Sequence, residues 1–364
     1  MDDQHGVVVR DPAKCEHALA VVRAAFNARN VRTHVPVDNP VSLDRENLGR
    51  LAAEPYMVAF KADGRRMVMV LTMYAGHETT FLVDRAGQVY STVVAATRSH
   101  FTRGTVIDTE YVVYPKSKEG ELLAFNVLVD RGDSLGQKPY ADRLEALNKI
   151  IPSNRVDPHR RKSFAMMHIM SMVDNLHLLT KHTEKLQYLK QMLRTVTPRY
   201  GTDGLVLTAA NRGVRSGQDE SLLKFKFTQT VDLVVRVEGD GGGWFAPEMV
   251  CDGGGDECPV DNMRLDCADT TFRRLLEGRR VYCEMLGKPV RFAHILELKC
   301  VADGDGGVIG RFVRVRTDKS SPNNVATVDR TIQCLWDNVQ VDDLVEMCQR
   351  YRAEHHRPQK IRRV

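Results

Sequence analysis

The sequence predicts an α+β fold of antiparallel sheets with flanking helices, followed by a second, smaller β-barrel. Short, mostly apolar segments separated by tight turns begin at Tyr56 and indicate antiparallel strands. Apolar residues spaced near 3.6 indicate helices before and after them. After Phe227 the composition shifts to short strands between Gly/Asp-rich loops, which is typical of a small barrel.

The length and composition favour a two-domain globular protein. The chain has 364 residues, of which 43% are hydrophobic and 27% charged, so a sizeable core is expected. Lys and Arg number 52 against 47 Asp and Glu, a net charge of +5. This excess permits a polyanionic partner without requiring one.

Targeting segments and cysteine pairs are not evident. No run approaches the roughly 18 to 20 apolar residues that span a bilayer, and the first residues have no secretory pattern, so we expect a protein that is neither membrane-bound nor secreted. The eight cysteines form no C-x-x-C pair, and we interpret them as reduced thiols. A zinc site in the C-terminal third stays an alternative.

The first half combines one helix with three strand pairs. The helix is predicted over 12–29, with Asp11 as N-cap and Pro12 in the first position. Each strand pair is joined by a short turn or polar loop, and the pairs are 56–61 with 66–73, 81–84 with 88–94, and 105–114 with 122–129. The first pair is predicted to be a hairpin around Ala-Asp-Gly.

The middle and C-terminal parts complete the predicted architecture. Helices are expected over 140–151 and 172–195, and strands over 204–208 and 222–227. Five further strands suit an OB-fold barrel, and they are 231–239, 244–251, 279–286, 290–299 and 308–316. A helix over 325–352 and a basic tail follow. The predicted domains are therefore 1–228, 229–324 and 325–364.

Lys61 is the strongest candidate for chemistry. It ends a strand, an Asp-Gly turn follows, and Arg66 opens the next strand. A lysine amine attacks only after losing its proton, and neighbouring cations and burial both favour that loss. Lys224 and Lys226 alternate onto one face of a later strand and can supply such charge. The competing interpretations are a solvated hairpin and a lysine-guarded strand edge.

The segment 61–66, K-x-D-G-x-R, resembles the first signature of the covalent nucleotidyltransferases, which comprise mRNA-capping guanylyltransferases and ATP-dependent polynucleotide ligases. Further blocks similar to this family follow in its order: FLVDR (81–85), DTEYVV (108–113), LLAFNVL (122–128), TDGLVLT (202–208), LLKFKF (222–227) and RVRTDKSSPN (314–323). The last block resembles capping enzymes and not ligases. The resemblance implies a ligase-like nucleotidyltransferase domain with a C-terminal OB-fold, and an mRNA guanylyltransferase.

The resemblance also implies a role for each matching residue. Lys61 would carry GMP from GTP to the 5′-diphosphate end of RNA. Asp63 would orient Lys61, Arg66 and Glu110 would bind the ribose or a metal, Arg85 would contact the ribose or α-phosphate, and Phe125 would stack on guanine. Asp203 and Glu110 would face Mg²⁺ or Mn²⁺. Lys224 and Lys226 would neutralise the α-phosphate, and Arg314, Arg316, Asp318 and Lys319 would reach the β- and γ-phosphates on closure about residues 228–231.

The chain departs from the family pattern at several positions. Asn126 stands where the family usually has Asp, and no lysine follows Phe164 where the family has a guanine-reading lysine, although His168 could substitute. The Trp usual before the last block is also missing. The alternatives are an ATP-dependent RNA or DNA ligase and a catalytically silent scaffold of RNA processing. RNA triphosphatase and cap methyltransferase activities are expected on other chains or domains, and the location is expected to be nuclear, or cytoplasmic for a viral protein.

Overall fold

The structure, a computed structural model, describes residues 6–27, 35–94, 96–114, 120–151, 163–166, 169–171, 200–240, 243–244, 248–261, 263–276, 290–317 and 319–355. The chain divides into two units. Unit one comprises Met1–Val41, Leu48–Phe225 and Val341–Val364, and unit two comprises Ser42–Asn47 and Lys226–Gln340. The domain bounds inferred from the sequence stay a prediction.

Six helices have bounds within the described residues: α1 Pro12–Ala25, α2 Arg50–Ala53, α3 Arg98–Arg103, α4 Tyr140–Ile150, α5 Val325–Asp337 and α6 Val341–His355. The start of α1 is as predicted, because the Asp11 carboxylate accepts from the backbone N–H of Ala13 at 2.9 Å and Pro12 follows it. It ends earlier than residue 29, since Asn27 has a φ of 49°, outside the helical region.

The larger sheet of unit one contains eight strands: β1 Val7–Val8, β4 Arg65–Tyr74, β5 His77–Asp84, β6 Val89–Thr92, β7 Thr105–Val113, β8 Gly120–Asp130, β9 Asp133–Ser134 and β10 Ser163–Met166. The order is β1-β6-β5-β4-β7-β8-β10, with β9 beside β8. The predicted pairs β5–β6 and β7–β8 are confirmed as antiparallel, whereas β10 pairs parallel with β8.

The second sheet of unit one contains five strands: β2 Asp38–Ser42, β3 Tyr56–Ala62, β11 Ile169–Ser171, β12 Thr202–Ala209 and β13 Gly217–Lys226. Their order is β11-β3-β12-β13-β2. Lys61 therefore lies at the end of an inner strand, flanked by β12 on one side. The strands predicted at 204–208 and 222–227 correspond to β12 and β13.

The predicted hairpin between 56–61 and 66–73 is wrong. β3 pairs with β11 and β12, whereas β4 pairs with β5 and β7, so the Asp63-Gly64 turn joins two different sheets. The turn runs tightly over β7, because a Cβ at Gly64 would lie 2.4 Å from the Tyr111 carbonyl oxygen and 2.9 Å from Glu110 Cγ. The backbone N–H of Asp63 donates to the Gly201 carbonyl at 2.9 Å and fixes the turn.

Alternation along β4 divides the core of unit one into two layers. Met67, Met69 and Leu71 pack on the side of α4, and Val68 and Val70 pack on the side of α1. A third cluster joins β3 to β7 and β8 through Ala59, Ala62, Val112 and Leu123. The two sheets of unit one are thus held together beside the turn that follows Lys61.

Unit two is built on seven strands: β14 Thr230–Asp240, β15 Gly243–Trp244, β16 Glu248–Asp252, β17 Glu257–Pro259, β18 Met263–Leu265, β19 Val290–Ala302 and β20 Val308–Val315. The order is β17-β16-β14-β19-β20-β18, with β15 beside β14. Helical residues 270–276 and α5 pack on the sheet through Phe272 and Val328. Of the strand predicted at 244–251, Trp244 lies in β15 and 248–251 lie in β16, whereas 245–247 lie outside the described residues. Closure into an OB-fold barrel stays a prediction.

Other sequence predictions had mixed outcomes. The single helix over 325–352 is wrong, because Asn338 adopts a left-handed φ of 45° between α5 and α6. The helix at 172–195, the strand at 279–286 and His168 lie outside the described residues. The described cysteines are free, and within the described chain no cluster of three or more His, Cys, Asp or Glu side chains could hold a metal. No described helix is both long and apolar enough to cross a membrane.

Candidate active site

A cavity of about 220 Å³ lies between the two sheets of unit one. Five of the predicted site residues line it: Lys61, Arg66, Arg85, Glu110 and Phe125. The strands that supply them are β3, β4, β7 and β8, with Arg85 directly after β5. The change of sheet at Gly64 is what places Lys61 on one wall and Arg66 and Glu110 on the other.

Lys61 forms an ion pair with a carboxylate. Its Nζ donates to Asp203 Oδ1 at 2.8 Å and to Oδ2 at 3.0 Å. The register of β3 and β12 shifts between Thr202 and Gly204, so Asp203 is the extra residue of a bulge opposite Lys61. The side chains of Lys61 and Asp203 are 26% and 39% exposed, which leaves this pair open to solvent and to a ligand.

Arg66 is held by two carboxylates on the opposite wall. Its Nε donates to Asp108 Oδ1 at 3.0 Å, and its Nη2 donates to Asp108 Oδ2 and to Asp38 Oδ1, each at 2.5 Å. Its Nη1 donates to the Asp38 carbonyl at 2.6 Å. The guanidinium also lies 5.3 Å from the centroid of the Phe125 ring, so it covers one face of that ring.

The carboxylate of Asp38 extends this network to a second arginine. Asp38 Oδ2 accepts from Arg212 Nη2 at 2.7 Å, and Arg212 Nη2 also lies 2.5 Å from Asp219 Oδ2. Burial alone would raise the pKa of Asp38, but the guanidinium groups of Arg66 and Arg212 outweigh it and hold that pKa below its usual value. We call Asp38, Arg66, Asp108, Arg212 and Asp219 the buried charge cluster.

Sequence reasoning missed four members of the buried charge cluster. Asp108 carried a signal, since it is a charged residue within an apolar strand, but Glu110 was selected as the carboxylate of that block. Asp38, Arg212 and Asp219 lie in polar segments where a charged residue ordinarily indicates solvent exposure. No local pattern distinguishes them.

Glu110 and Arg85 have altered proton affinities. Burial raises the pKa of Glu110 to about 7, against the opposing charges of Arg66 and Lys61 and the backbone N–H of Gly64. Glu110 is directly opposite Arg66 in the β4–β7 pairing. Burial, with the nearby positive charge of Arg66, lowers the pKa of Arg85. The wall opposite Lys61 therefore contains a carboxyl group that titrates near neutral pH.

A second bulge shapes the wall at Phe125. In the β7–β8 pairing Asp108 faces Asn126 and Thr109 faces Ala124, so Phe125 is the extra residue. The Tyr140 hydroxyl donates to the Phe125 carbonyl at 2.8 Å and stabilises the bulge. Because a bulge interrupts the alternation of side chains, both Phe125 and its neighbour Asn126 line the cavity.

The remaining predicted residues of unit one, Asp63, Asp203 and Lys224, are not among the residues that line the cavity. Asp203 accepts a hydrogen bond from Lys61, which lines the cavity. The Asp63 side chain is exposed and is not an acceptor for Lys61 Nζ. Lys224 is half-buried on β13, one strand beyond β12, and Leu223 and Phe225, which alternate with it, are buried. Phe227 does not continue that face, since it follows the end of β13 and is exposed.

Most of the predicted phosphate-binding cations near the C-terminus are paired within unit two. Arg316 Nη1 donates to both oxygens of Asp232 at 2.9 Å, and Lys319 Nζ donates to Asp232 Oδ2 at 2.5 Å. Arg314 Nε donates to Glu297 Oε2 at 2.7 Å. Lys226 Nζ contacts the Thr230 hydroxyl at 3.3 Å. Asp318 lies outside the described residues, and the phosphate contacts of all five stay predictions.

Comparison with known proteins matches this chain to a family model and to curated relatives. Residues 8–228 match the family model of the mRNA capping enzyme, catalytic domain. The mRNA-capping enzyme subunit alpha of Candida glabrata is 26% identical over 85% of this chain and 79% of its own length, and that of Schizosaccharomyces pombe is 26% identical with the same coverage. A solved structure, a mycobacterial DNA ligase D complexed with ATP and MES, is 15% identical, covering 80% of this chain and 97% of that chain with a TM-score of 0.42.

The lysine at the junction of two sheets, together with this family match, defines a nucleotidyltransferase. The matched region covers more than half of the chain, and it contains both walls of the cavity. The chain belongs to the mRNA capping enzyme family.

Proposed function

We propose that this chain is a GTP–RNA guanylyltransferase that carries GMP on Lys61 Nζ. The observation that carries the proposal is the position of that amine, on a residue that lines the cavity and within 3.0 Å of both Asp203 oxygens. A half-exposed ion pair can be opened by an incoming charged substrate at small cost, because exposed pairs contribute only about 0–1 kcal/mol.

In the first half-reaction, Nζ loses a proton and attacks the α-phosphorus of GTP. The bond between Nζ and phosphorus forms, the bond from that phosphorus to the bridging oxygen breaks, and pyrophosphate leaves. Asp203 is the acceptor nearest to the ammonium protons, which supports a role in deprotonation as well as in orientation. In the second half-reaction, a terminal oxygen of 5′-diphosphate RNA attacks the same phosphorus and the P–N bond breaks.

The wall opposite Lys61 suits a nucleoside. Phe125 is half-buried and has one face covered by Arg66, so a base can stack only on the other face. Such stacking stabilises binding by about 1–3 kcal/mol per base. Arg66 is already held by Asp38 and Asp108. We therefore propose that Arg66 positions Phe125, and that Arg85 and Glu110 make most of the contacts with the sugar and the phosphates.

A divalent cation fits this site as part of the substrate complex. Glu110 and Asp203 offer oxygen ligands, and Mg²⁺ commonly binds through one or two carboxylates together with substrate phosphates and water. A larger protein cage is neither needed nor found among the described residues. When bound, Mg²⁺ or Mn²⁺ would neutralise phosphate charge.

Labelling with α-³²P nucleotides tests the proposal. We expect the wild-type chain to form an acid-labile, base-stable adduct with GTP and not with ATP, and to transfer it to 5′-diphosphate RNA but not to 5′-monophosphate RNA. Lys61→Arg is the matched variant, because arginine keeps the positive charge facing Asp203 but is not deprotonated in proteins. It should form no adduct.

Other outcomes would select a different function. Labelling by ATP alone would indicate a ligase of the same fold, and a folded wild-type chain that no nucleotide labels would indicate a silent scaffold. The relatives named above are alpha subunits, which supports the proposal that RNA triphosphatase and cap methyltransferase activities reside on other chains. A nuclear location follows as part of the same proposal.

A further inference from the structure

Asn126 is a buried polar side chain within the nucleotide cavity. It is 3% exposed, and it lines the cavity next to Phe125 because of the bulge in β8. Its neighbours on β8, Val127 and Leu128, are buried in the apolar core. An amide in such a place needs hydrogen-bond partners for both of its ends.

The orientation of the Asn126 amide is fixed by Arg143. Arg143 Nε donates to Asn126 Oδ1 at 2.9 Å. Arg143 itself is fully buried, donates through Nη1 to the carbonyls of Arg212 and Lys138, and stacks on Tyr140. Since a guanidinium has only donors, Oδ1 must face Arg143 and the NH₂ group must point elsewhere.

The NH₂ group of Asn126 has no partner among the described residues, and the cavity that Asn126 lines has room for one. A second amide lies on the cavity wall, where Asn39 Nδ2 donates one of its two hydrogens to the Val37 carbonyl at 3.4 Å. The Thr208 hydroxyl, also on the wall, can donate or accept and therefore cannot distinguish an oxygen from an amine. The oriented NH₂ of Asn126 can only donate.

We propose that Asn126 Nδ2 donates to the O6 atom of guanine and thereby determines the choice of base. Adenine presents an amine at that position, so two donors would meet and one would stay buried without a partner. This inference rests on the proposed function.

The first test compares nucleotides on the unaltered protein. Equilibrium binding and adduct formation are measured with GTP, inosine triphosphate, ATP and 2-aminopurine riboside triphosphate, the last being a guanine analogue without O6. We expect GTP and inosine triphosphate, which share O6, to bind alike within about threefold. ATP and the analogue without O6 should bind about 5- to 150-fold more weakly. This range follows from the free-energy cost of a buried donor that is left unpaired, since each 1.4 kcal/mol changes the affinity tenfold.

The second test uses Asn126→Asp, which keeps the contact with Arg143 but removes the donor. The preference for GTP over 2-aminopurine riboside triphosphate should fall by at least about fivefold, and binding of ATP should improve, because a carboxylate oxygen accepts from its amine. Asn338→Asp makes the same change at an exposed amide that does not line the cavity, and it should leave the preference as in the wild type. Circular dichroism spectra establish that both variants fold.

The outcomes separate this inference from the proposed function. GTP labelling with equal use of the analogue lacking O6, or an unchanged preference in Asn126→Asp, overturns the role of Asn126 and leaves the guanylyltransferase standing. A chain that binds GTP selectively through Asn126 without forming an adduct supports this inference and contradicts the proposed chemistry. Binding with no preference among the four nucleotides overturns the inference whatever the labelling shows.

Discussion

Two groups of charged side chains around one cavity differ in their exposure to solvent and in the number of their ion-pair partners. Lys61 and Asp203 form a single, partly exposed pair at a bulge, whereas Arg66 and Arg212 are enclosed by Asp38, Asp108 and Asp219. The first pair can exchange its partner for a substrate. The second group cannot do so without leaving a buried charge uncompensated. The difference indicates that chemistry belongs to the open pair and that the buried charge cluster serves to hold the opposite wall in place.

The largest expected effect on stability concerns Asp38, the carboxylate shared by both arginines of the buried charge cluster. Asp38→Asn should lower the free energy of unfolding by about 3–5 kcal/mol, as measured by urea denaturation. Because the folded-state pKa of Asp38 is lowered, its stabilisation is present at neutral pH and is lost as the pH falls through that lowered pKa.

Glu220→Gln is the control for this comparison. The Arg50–Glu220 pair is exposed, so its loss should change the free energy of unfolding by no more than about 1 kcal/mol. If the two variants were destabilised equally, the distinction between open and buried charges would fail.

Gly64 provides a further test of this arrangement, because the turn at this residue sets the distance between Lys61 and the opposite wall of the cavity. Gly64→Ala should cost about 3 kcal/mol, the upper end of the range for overpacking, since its Cβ would meet the Tyr111 carbonyl. The rate of adduct formation should fall as well, because Lys61 and Glu110 would move apart. Gly49→Ala, where a Cβ meets nothing within 4 Å, should leave both the denaturation midpoint and the rate unchanged. Equal behaviour of the two alanine variants would show that the turn is not under this constraint.

The smallest expected effect is the pH dependence that arises from Glu110. Its pKa is raised from 4.5 to about 7 by burial, so the folded state binds an extra proton between these values. The associated stability is full below pH 4.5 and is lost as the pH rises through about 7, a change on the order of 1–2 kcal/mol after allowance for partial exposure. Glu110→Gln should remove this slope from the free energy of unfolding measured between pH 5 and 8. A slope that persists in the variant would assign it to another group.

The sequence was sufficient for most strands and for the choice of Lys61 as the candidate nucleophile, because apolar segments and turn residues are local signals. It was not sufficient for the partner of the strand at 56–61. Alternation reports which residues share a face and does not report which strand lies beside them, so the turn at Asp63-Gly64 was interpreted as a hairpin. The true arrangement depends on contacts of Gly64 with β7, which lies more than forty residues later in the chain.

The candidate site was likewise only partly predictable from local sequence signals. The blocks containing Lys61, Arg66, Glu110 and Phe125 were found by motif, and the structure brings them to one cavity. The carboxylate that binds Lys61 was expected at Asp63, but a bulge in β12 brings Asp203 to it instead. Bulges in β8 and β12 have no simple sequence signal, and they also explain why Asn126 was noted only as a departure from a pattern.

The central claim is that the open lysine, and no member of the buried charge cluster, carries the nucleotide. Mass spectrometry of proteolytic peptides after incubation with GTP and a divalent cation tests it most directly. We expect GMP on the peptide that contains Lys61, bound to Nζ, released by acid and missing from Lys61→Arg. GMP on another residue, or an adduct that survives in Lys61→Arg, would contradict the account.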